Sequence, residues 1–516
     1  MNRVTLLALN TVTNYAGFGV SMVVLFVLTP LMIRYAGVEP FGLWTLAYSV
    51  VGFLGLLDCG LATSAVKYVA ECKSTKDFGR RNRIISTLML VYIFLAVTAL
   101  LVIAGLTAVF NTLFSIAPEN HSTMTWLLWL IGLRVVVFNL PLSVFRAILF
   151  GEQKIYLINI VQTALMIAYG VASYVVLIQG GGVIGVSVVG VISMLIEHGL
   201  YAMLSFMVVD HLRFGWSGID FKEFREVLSF SVYQLIVNVA NLVLLRSDPI
   251  LIKLFMPITA VAVYGVALRI AEYSRQFVKQ FINVLSPHIS EMHGAGDKEG
   301  LRRLLLDGTK IAFSVCIALC VPLWVFSREA IVFWVGESMA GAAPVLLVLT
   351  GVTVLTIPQL MASNILAMTG HHVFTAGASV AGIVINIAAS VLLIMPLGVI
   401  GVALGSLIAT VAVDVFIVVN RALKLYRLSL PLYLRQAIFP ALVPGAVQMA
   451  GSYAMKEILP SDSLLDLIPL VTPGLVGFAI VYWYFSFSQN EKAYYRYKLL
   501  SIIKPNKRET KIFKLP

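Results

Sequence analysis

Residues 84–108 read IISTLMLVYIFLAVTALLVIAGLTA, a run of 25 residues without a charged side chain. As an α-helix this run is about 37 Å long, which exceeds the roughly 30 Å hydrocarbon core of a bilayer. Because backbone in lipid must satisfy its own hydrogen bonds, a helix is the expected structure. The run is continuously apolar and does not alternate, which excludes a strand of a membrane barrel. We therefore predict a transmembrane helix here.

Similar runs recur along the chain and decide its class. The 516 residues are 59% hydrophobic and 12% charged, with a mean hydropathy of +0.93, whereas a soluble domain carries about 25% charged residues. We predict an all-α polytopic membrane protein with about 14 transmembrane helices. The predicted spans are 10–33, 41–64, 84–108, 124–147, 155–178, 183–207, 228–251, 259–284, 308–327, 341–365, 373–395, 398–420, 436–456 and 466–487.

The net charge of +12 is distributed by side of the membrane. One set of gaps between spans holds dense Lys and Arg clusters, as at 73–83, 298–310 and 492–514. The alternate gaps hold Arg34, Lys253, Arg328 and Lys456. The positive-inside rule then places both termini in the cytoplasm. The expected partners of the basic loops are anionic membrane lipids, and nucleic acid is not an expected partner.

Short motifs repeat at a nearly constant offset. TPLMIRY at 29–35 resembles DPILIKL at 248–254, and GVIGV at 182–186 recurs at 398–402. We predict two parallel six-helix repeats, which suit transport by alternating access around a central cleft; a duplicated scaffold without transport is the alternative. The predicted divisions are an N-lobe at 1–215 (spans 1–6), a C-lobe at 216–425 (spans 7–12), appended spans 13 and 14 at 426–490, and a basic cytoplasmic tail at 491–516.

Charged residues inside spans are costly and indicate function. Span 8 presents a polar stripe at helical spacing, and span 4 carries one arginine near its middle. Guanidinium groups stay charged when dehydrated and bind phosphate or carboxylate bidentately. No catalytic residue or metal site is expected, since no His or carboxylate joins Cys316 and Cys320 in a metal spacing. The predicted substrate-binding residues are Arg269, Arg275, Arg134, Lys279 and Glu272.

Acidic residues in the spans are weaker candidates for coupling transport to an ion. They are Glu197, Asp414, Asp248 and Asp58. Structural interpretations stay open for several charged residues: Glu272 neutralises a nearby arginine, Lys279 reaches the inner headgroups, Asp248 pairs with Arg246, and Asp58 caps a helix.

The opening of the chain carries three recognisable motifs: GVEPFGLW at 37–44, GLLDCGL at 55–61 and KYVAE at 67–71. They resemble the bacterial polysaccharide flippases, the O-antigen, capsule and exopolysaccharide translocases of the multidrug/oligosaccharidyl-lipid/polysaccharide exporter superfamily. The duplicated layout of 12 plus 2 spans extends this resemblance over essentially the whole chain.

The resemblance implies a V-shaped, two-lobed bundle with a cationic central cavity in the bacterial inner membrane. It implies flipping of undecaprenyl-pyrophosphate-linked oligosaccharide from the cytoplasmic to the periplasmic leaflet, driven in some members by a proton or sodium gradient and without another cofactor. A polysaccharide polymerase and glycosyltransferases are the expected pathway partners. The appended spans depart from the 12-span pattern common in the family.

Three other functions stay open. A multidrug or ion antiporter of the same superfamily would favour an acidic, aromatic cavity with few arginines, unlike span 8. A lipid II flippase is a close variant of the main hypothesis. A membrane glycosyltransferase or polymerase is disfavoured because the chain has no D-x-D motif, no phosphate-binding loop and no large loop to house chemistry.

Overall fold

The computed structural model describes residues 3–58, 60–215, 246–460, 462–487 and 492. Within these ranges the chain is helical with short turns and contains no β-strand, which confirms the predicted all-α class. The helices of spans 1–6 are α1 (Arg3–Ala36), α2 (Val38–Leu54), α3 (Leu61–Thr75), α4 (Phe78–Leu113), α5 (His121–Gly132), α6 (Asn139–Gly151), α7 (Ile155–Ile178) and α8 (Gly182–Val208).

The described residues from 246 onward form the remaining helices. They are α9 (246–255), α10 (Ile258–Val284), α11 (Ser286–Gly294), α12 (Lys298–Val325), α13 (Ser327–Val335), α14 (Ala342–Met368), α15 (His372–Leu397), α16 (Val399–Ala409), α17 (Asn420–Leu425), α18 (Leu430–Tyr433), α19 (Phe439–Ile458) and α20 (Leu467–Val481). Within the described ranges, π-helical segments interrupt the spans at Leu133–Val137, Thr410–Val419, Leu434–Ile438 and Tyr482–Ser486.

Twelve helical stretches of the described chain are long and apolar enough to cross a membrane. Each coincides with a predicted span, and the stretch Ile155–Ile178 has the predicted bounds. Predicted span 7 (228–251) falls mostly on residues 216–245, outside the described ranges, and its last residues belong to α9. Predicted span 8 is α10, a continuous 27-residue helix whose charged residues set it apart from the twelve apolar stretches.

The start of α4 and the start of α12 are built alike. Asp77 and Asp297 precede the two helices, and each carboxylate accepts a hydrogen bond from the backbone N–H three residues on, at 2.8 Å in both cases. Such a cap satisfies one of the free N–H groups of a first helical turn. Gly182 and Gly398, which open the two GVIGV motifs, both have positive φ, at 55° and 60°. The two similar caps, and the matched backbone of the two GVIGV copies, agree with the duplication predicted from the sequence.

The chain divides into two compact units. The first comprises residues 1–267 and 379–406, and the second comprises 268–378 and 407–516. In the first unit α1 packs along α7, α3 packs on α6, and α7 packs on α8. In the second unit α12 packs on both α14 and α19, and α19 packs along α20. The lobe boundaries at residues 215 and 425 stay a prediction.

A group of contacts at one end of the helices of the first unit, here called the loop tie, joins three loops. Arg81, 1% exposed, pairs with Glu152 at 3.1 Å and donates to the Asp210 carbonyl at 2.6 Å. The more exposed Lys73 also pairs with Glu152, at 3.2 Å. Because a buried charge is costly without a partner, these contacts fix the ends of α3, α4, α6 and α8 relative to one another.

The appended helices α19 and α20 dock on α12. Gln448 donates to the Ala318 carbonyl at 2.9 Å, and Lys310 donates to the Ser486 carbonyl at 3.2 Å. Gly474 lets the two appended helices approach closely, since a Cβ there would lie 2.5 Å from the Ser452 hydroxyl. Small residues allow such packing in a bilayer, where apolar surface alone does not drive helices together.

Candidate functional site

The polar stripe of α10 forms a local network in the second unit. The Glu272 carboxylate pairs with Arg275 at 2.6 Å and accepts from the Gln276 amide at 2.9 Å. Arg275 also interacts electrostatically with Asp414, which lies on the π-helical segment Thr410–Val419. Glu272 therefore neutralises Arg275, as one of the two interpretations predicted. Arg275 is thus paired with Glu272 on its own helix, and its charge also acts on Asp414.

Two further basic residues of α10 differ in their surroundings. Arg269 is half-buried and shares a hydrogen bond with Tyr273, one turn further along the helix. Lys279 lies near the end of α10 and is exposed, so its side chain can extend to the membrane interface. The structure therefore groups Glu272, Arg275 and Asp414, with Arg269 one to two turns away on the same helix.

Arg134 lies in the first unit, on the π-helical segment Leu133–Val137 of predicted span 4. Its guanidinium donates to the Tyr48 hydroxyl at 2.8 Å and lies 5.0 Å from the centre of the Tyr169 ring. A Cβ on Gly190 would come within 2.5 Å of the guanidinium, so the glycine makes room for it. Of the described residues, no carboxylate forms an ion pair with Arg134.

Two of the predicted ion-coupling residues have local structural partners. Asp58 accepts hydrogen bonds from the Gly60 and Ala62 N–H groups and from the Tyr92 hydroxyl, at 3.2, 3.3 and 2.7 Å. These contacts anchor the start of α3, as the capping interpretation expects. Glu197 accepts a hydrogen bond from Tyr201 at 2.7 Å, one turn along α8.

Asp248 lies in a buried polar cluster of the first unit. One of its carboxylate oxygens accepts hydrogen bonds from Tyr264 and from Ser406, the latter at 3.4 Å, and Asn386 donates to Ser406 at 2.8 Å. The side chains of Asp248 and Asn386 are 5% and 2% exposed. Among the described residues, the second oxygen of Asp248 and the Asn386 carbonyl oxygen have no hydrogen-bond partner. The expected structural pair of Asp248 with Arg246 is therefore not what holds this carboxylate.

Such an arrangement can bind a cation or a proton. Buried oxygen acceptors without donors carry a desolvation cost that a cation offsets. Carboxylate, amide and hydroxyl oxygens together are hard ligands of the kind that alkali and alkaline-earth ions prefer. The described residues hold no cluster of three or more His, Cys, Asp or Glu side chains that could bind a transition metal.

Sequence reasoning did not identify the neutral partners of these charges. Tyr48, Tyr169, Tyr264, Asn386 and Ser406 each contact a predicted site residue or its neighbour. Asn386 in an otherwise apolar span is the one signal that pattern reading could have used.

Comparison with known proteins gives the family. The family described as polysaccharide biosynthesis protein matches residues 7–293, and the MatE family matches residues 234–392. The chain is 21% identical over 334 residues to a putative O-antigen transporter of Shigella flexneri, covering 64% of this chain and 77% of that protein. It is 22% identical over 292 residues to the probable low-salt glycan biosynthesis flippase Agl15 of Haloferax volcanii, covering 55% and 60%.

A solved structure resembles the fold over nearly the whole chain. The lipid II flippase MurJ in an inward closed conformation superposes with a TM-score of 0.73 at 14% identity, covering 95% of this chain and 100% of that one. Together with the twelve apolar helical stretches of the described residues, the matches confirm a multipass membrane transporter and exclude an enzyme. The chain therefore belongs to the polysaccharide biosynthesis protein family of the multidrug/oligosaccharidyl-lipid/polysaccharide exporter superfamily.

Proposed function

We propose that this transporter flips an undecaprenyl-pyrophosphate-linked oligosaccharide from the cytoplasmic to the periplasmic leaflet by alternating access, for surface polysaccharide biosynthesis. The observation that carries the proposal is Arg134, a guanidinium inside a membrane-spanning helix that tyrosines hold without a carboxylate among the described residues. A charge at this depth is costly, and an anionic substrate offsets that cost. The relatives named as an O-antigen transporter and a glycan flippase support the same substrate class.

Arg269 and Arg275 provide the cationic groups of the second unit in this proposal. Arg275 is held by Glu272, so an arriving phosphate competes with that carboxylate for the same guanidinium. Arginine suits such an exchange because its planar fork binds carboxylate and phosphate in the same bidentate geometry.

We also propose that the ion gradient acts through the cluster of Asp248, Tyr264, Asn386 and Ser406. Its buried acceptors, which lack donors among the described residues, support binding of sodium or a proton. Asp414 is the second candidate, because its charge is linked to Arg275 and hence to the substrate site.

The proposal also includes the membrane, the orientation and the pathway partners of the protein. The chain resides in the bacterial inner membrane with both termini in the cytoplasm, as its basic loops favour. It receives its substrate from glycosyltransferases and delivers it to a polysaccharide polymerase.

Complementation of a deletion strain tests the function. Arg269→Ala and Arg269→Glu should abolish surface polysaccharide while the protein still reaches the membrane at normal levels. Arg303→Ala is the matched control, since Arg303 is 56% exposed and pairs with Glu299 near the start of α12. Normal polysaccharide in both Arg269 variants would remove Arg269 from the substrate site.

A second arm separates the alternatives. An antiporter of the same superfamily predicts altered sensitivity of the deletion strain to cationic drugs, and a lipid II flippase predicts that the gene is essential. Loss of polysaccharide with unchanged drug sensitivity in a viable deletion strain is the outcome that the proposed function requires.

A further inference from the structure

The connector that leads from α8 to α9 begins with a segment that lies on the start of α4. This segment, residues 209–215, is here called the strap. Side chains of α4 hydrogen-bond its main chain: Arg81 donates to the Asp210 carbonyl at 2.6 Å, Asn82 donates to the His211 carbonyl at 2.8 Å, and Ser86 accepts from the Gly215 N–H at 3.3 Å. Contacts to main-chain groups at three points fix the path of the strap.

The α4 residues that hold the strap share one helical face. Arg81, Asn82 and Ser86 follow Phe78 by three, four and eight residues, which places all four on one side of α4. The centre of the Phe78 ring lies 5.4 Å from that of His211 and 5.1 Å from the guanidinium carbon of Arg81. The strap therefore follows α4 over about two turns.

Apolar contacts hold the rest of the strap. Val209 and Leu212 are both buried. The centre of the Phe214 ring lies 5.4 Å from that of Phe145 on α6 and 5.8 Å from that of Phe206 on α8. Aromatic pairs at such distances stabilise a structure beyond the burial of their area. The strap is thus packed into the first unit as well as hydrogen-bonded to it.

The second repeat has the same turn but no arginine at the matching place. His211 in the strap and Arg427, after predicted span 12, both have positive φ, at 56° and 52°. Four residues after the matched caps of α4 and α12, the first repeat has Arg81 and the second has Leu301, which are 1% and 2% exposed. The buried charge is therefore found in the repeat whose last helix continues into the connector.

Release of the strap would leave this buried charge with fewer partners. The Arg81 guanidinium binds the Glu152 carboxylate and the Asp210 carbonyl. If the strap left α4, the guanidinium would keep Glu152 but lose the carbonyl, and a buried charged donor without its acceptor is costly. A hinge needs residues whose φ and ψ change at low cost. The contacts of the strap oppose such changes.

We propose that the strap stays docked on α4 throughout transport, so that residues 209–215 move as part of the first unit and do not form the hinge between the two repeats. The inference rests on the proposed function, because it concerns the movement of one repeat against the other during alternating access. Arg81 is a positioning residue in this proposal, since it acts on the connector and not on the substrate.

Hydrogen exchange of the purified full-length protein tests the docking. A hydrogen bond to a charged group changes an equilibrium constant by about tenfold or more, so Arg81→Met should speed amide exchange in residues 209–215 by roughly that factor. Lys73→Ala is the matched control, because Lys73 pairs with the same Glu152 and makes none of the strap contacts described above. It should leave exchange in the strap unchanged. Equal exchange in Arg81→Met and the wild type would overturn the role of Arg81.

A reversible crosslink tests whether the strap stays docked. Ser86→Cys and Gly215→Cys are combined and joined in cells by a short, membrane-permeant bifunctional thiosulfonate, and surface polysaccharide made afterwards is measured. Wild-type cells treated with the reagent are the reference for the native cysteines, and the two single-cysteine variants control for modification alone. The crosslinked protein should support as much polysaccharide as the reference. In an Arg81→Met background, the crosslink should restore the polysaccharide that the substitution removes.

The outcomes separate this inference from the function on which it rests. Loss of polysaccharide on crosslinking, reversed by a reductant and absent from the single-cysteine variants, would overturn the inference and leave the proposed function standing, because the strap must then undock. Normal surface polysaccharide in the deletion strain would overturn the proposed function and with it the transport part of the inference. Hydrogen exchange would still decide whether Arg81 docks the strap.

Discussion

Replacing Asp248 with Asn should make the stability of the protein independent of the coupling ion. The Asp248 carboxylate is 5% exposed, and one of its oxygens has no hydrogen-bond partner among the described residues. An unsatisfied buried acceptor costs about 1–3 kcal/mol, so a sodium ion or proton bound there should raise the free energy of unfolding by a similar amount. By linkage, this gain corresponds to an ion concentration about 4 to 160 times its Kd. The Asn side chain keeps an oxygen for Tyr264 but removes the charge.

Thermal unfolding of the purified full-length protein measures the effect. In one series choline is replaced by sodium at constant ionic strength and pH, and in a second series the pH is lowered at constant sodium. The apparent melting temperature of the wild type should rise in one series, since a ligand that binds the folded state stabilises it, and the Asp248→Asn variant should lose this rise. Asp414→Asn serves as the comparison and should keep it. Full ion dependence in Asp248→Asn would refute the reasoning, and its loss in Asp414→Asn alone would move the coupling ion to Asp414.

Three further results are expected. Arg81→Met breaks the buried pair of the loop tie and should lower the free energy of unfolding by about 3–5 kcal/mol. Lys73→Ala should cost under about 1 kcal/mol, since the Lys73 side chain is 44% exposed; equal losses in a denaturant titration would contradict the assigned burial. Asp58→Ala should cost about 0.5–2 kcal/mol through the lost anchor of α3 while surface polysaccharide stays normal, and lost polysaccharide at normal stability would favour a coupling role. Single cysteines replacing Arg134 and Arg269 should react with a membrane-impermeant maleimide, and protection of both would refute water access to these positions.

Hydropathy was sufficient to predict the helices because the bilayer imposes a minimum apolar length. The predicted span 183–207 lies within Gly182–Val208, and the predicted span 84–108 lies within Phe78–Leu113. Helix α4 starts six residues earlier than predicted, because the Asp77 cap and not the membrane boundary decides where it begins. Charge likewise revealed Arg134 and the α10 stripe, because ionised residues are rare inside spans.

The partners of those charges were beyond pattern reading. Tyr48 and Arg134 are 86 residues apart in the chain, and Ser406 and Asp248 are 158 apart; neutral hydroxyl groups scarcely change the hydropathy of a span. The π-helical segments that contain Arg134 and Asp414 could not be predicted from the sequence either, because local widening of a helix leaves its composition unchanged. Such segments redirect the side chains that follow and are frequent at functional sites, so a regular helical wheel misplaces residues beyond them.

The charge on α10 also bears on how the chain is made. Arg269 and Glu272 lie near the middle of this helix, where each ionised residue costs about 2.5–3.5 kcal/mol on insertion from the translocon. The first turns of α10 pack on a helix synthesised earlier, with Gly42 and Gly265 at the close approaches. Its charged half, however, interacts with Asp414, a residue translated more than a hundred codons later. We therefore expect the charged half of α10 to reach its final environment in the second unit only after the Asp414 segment has been synthesised.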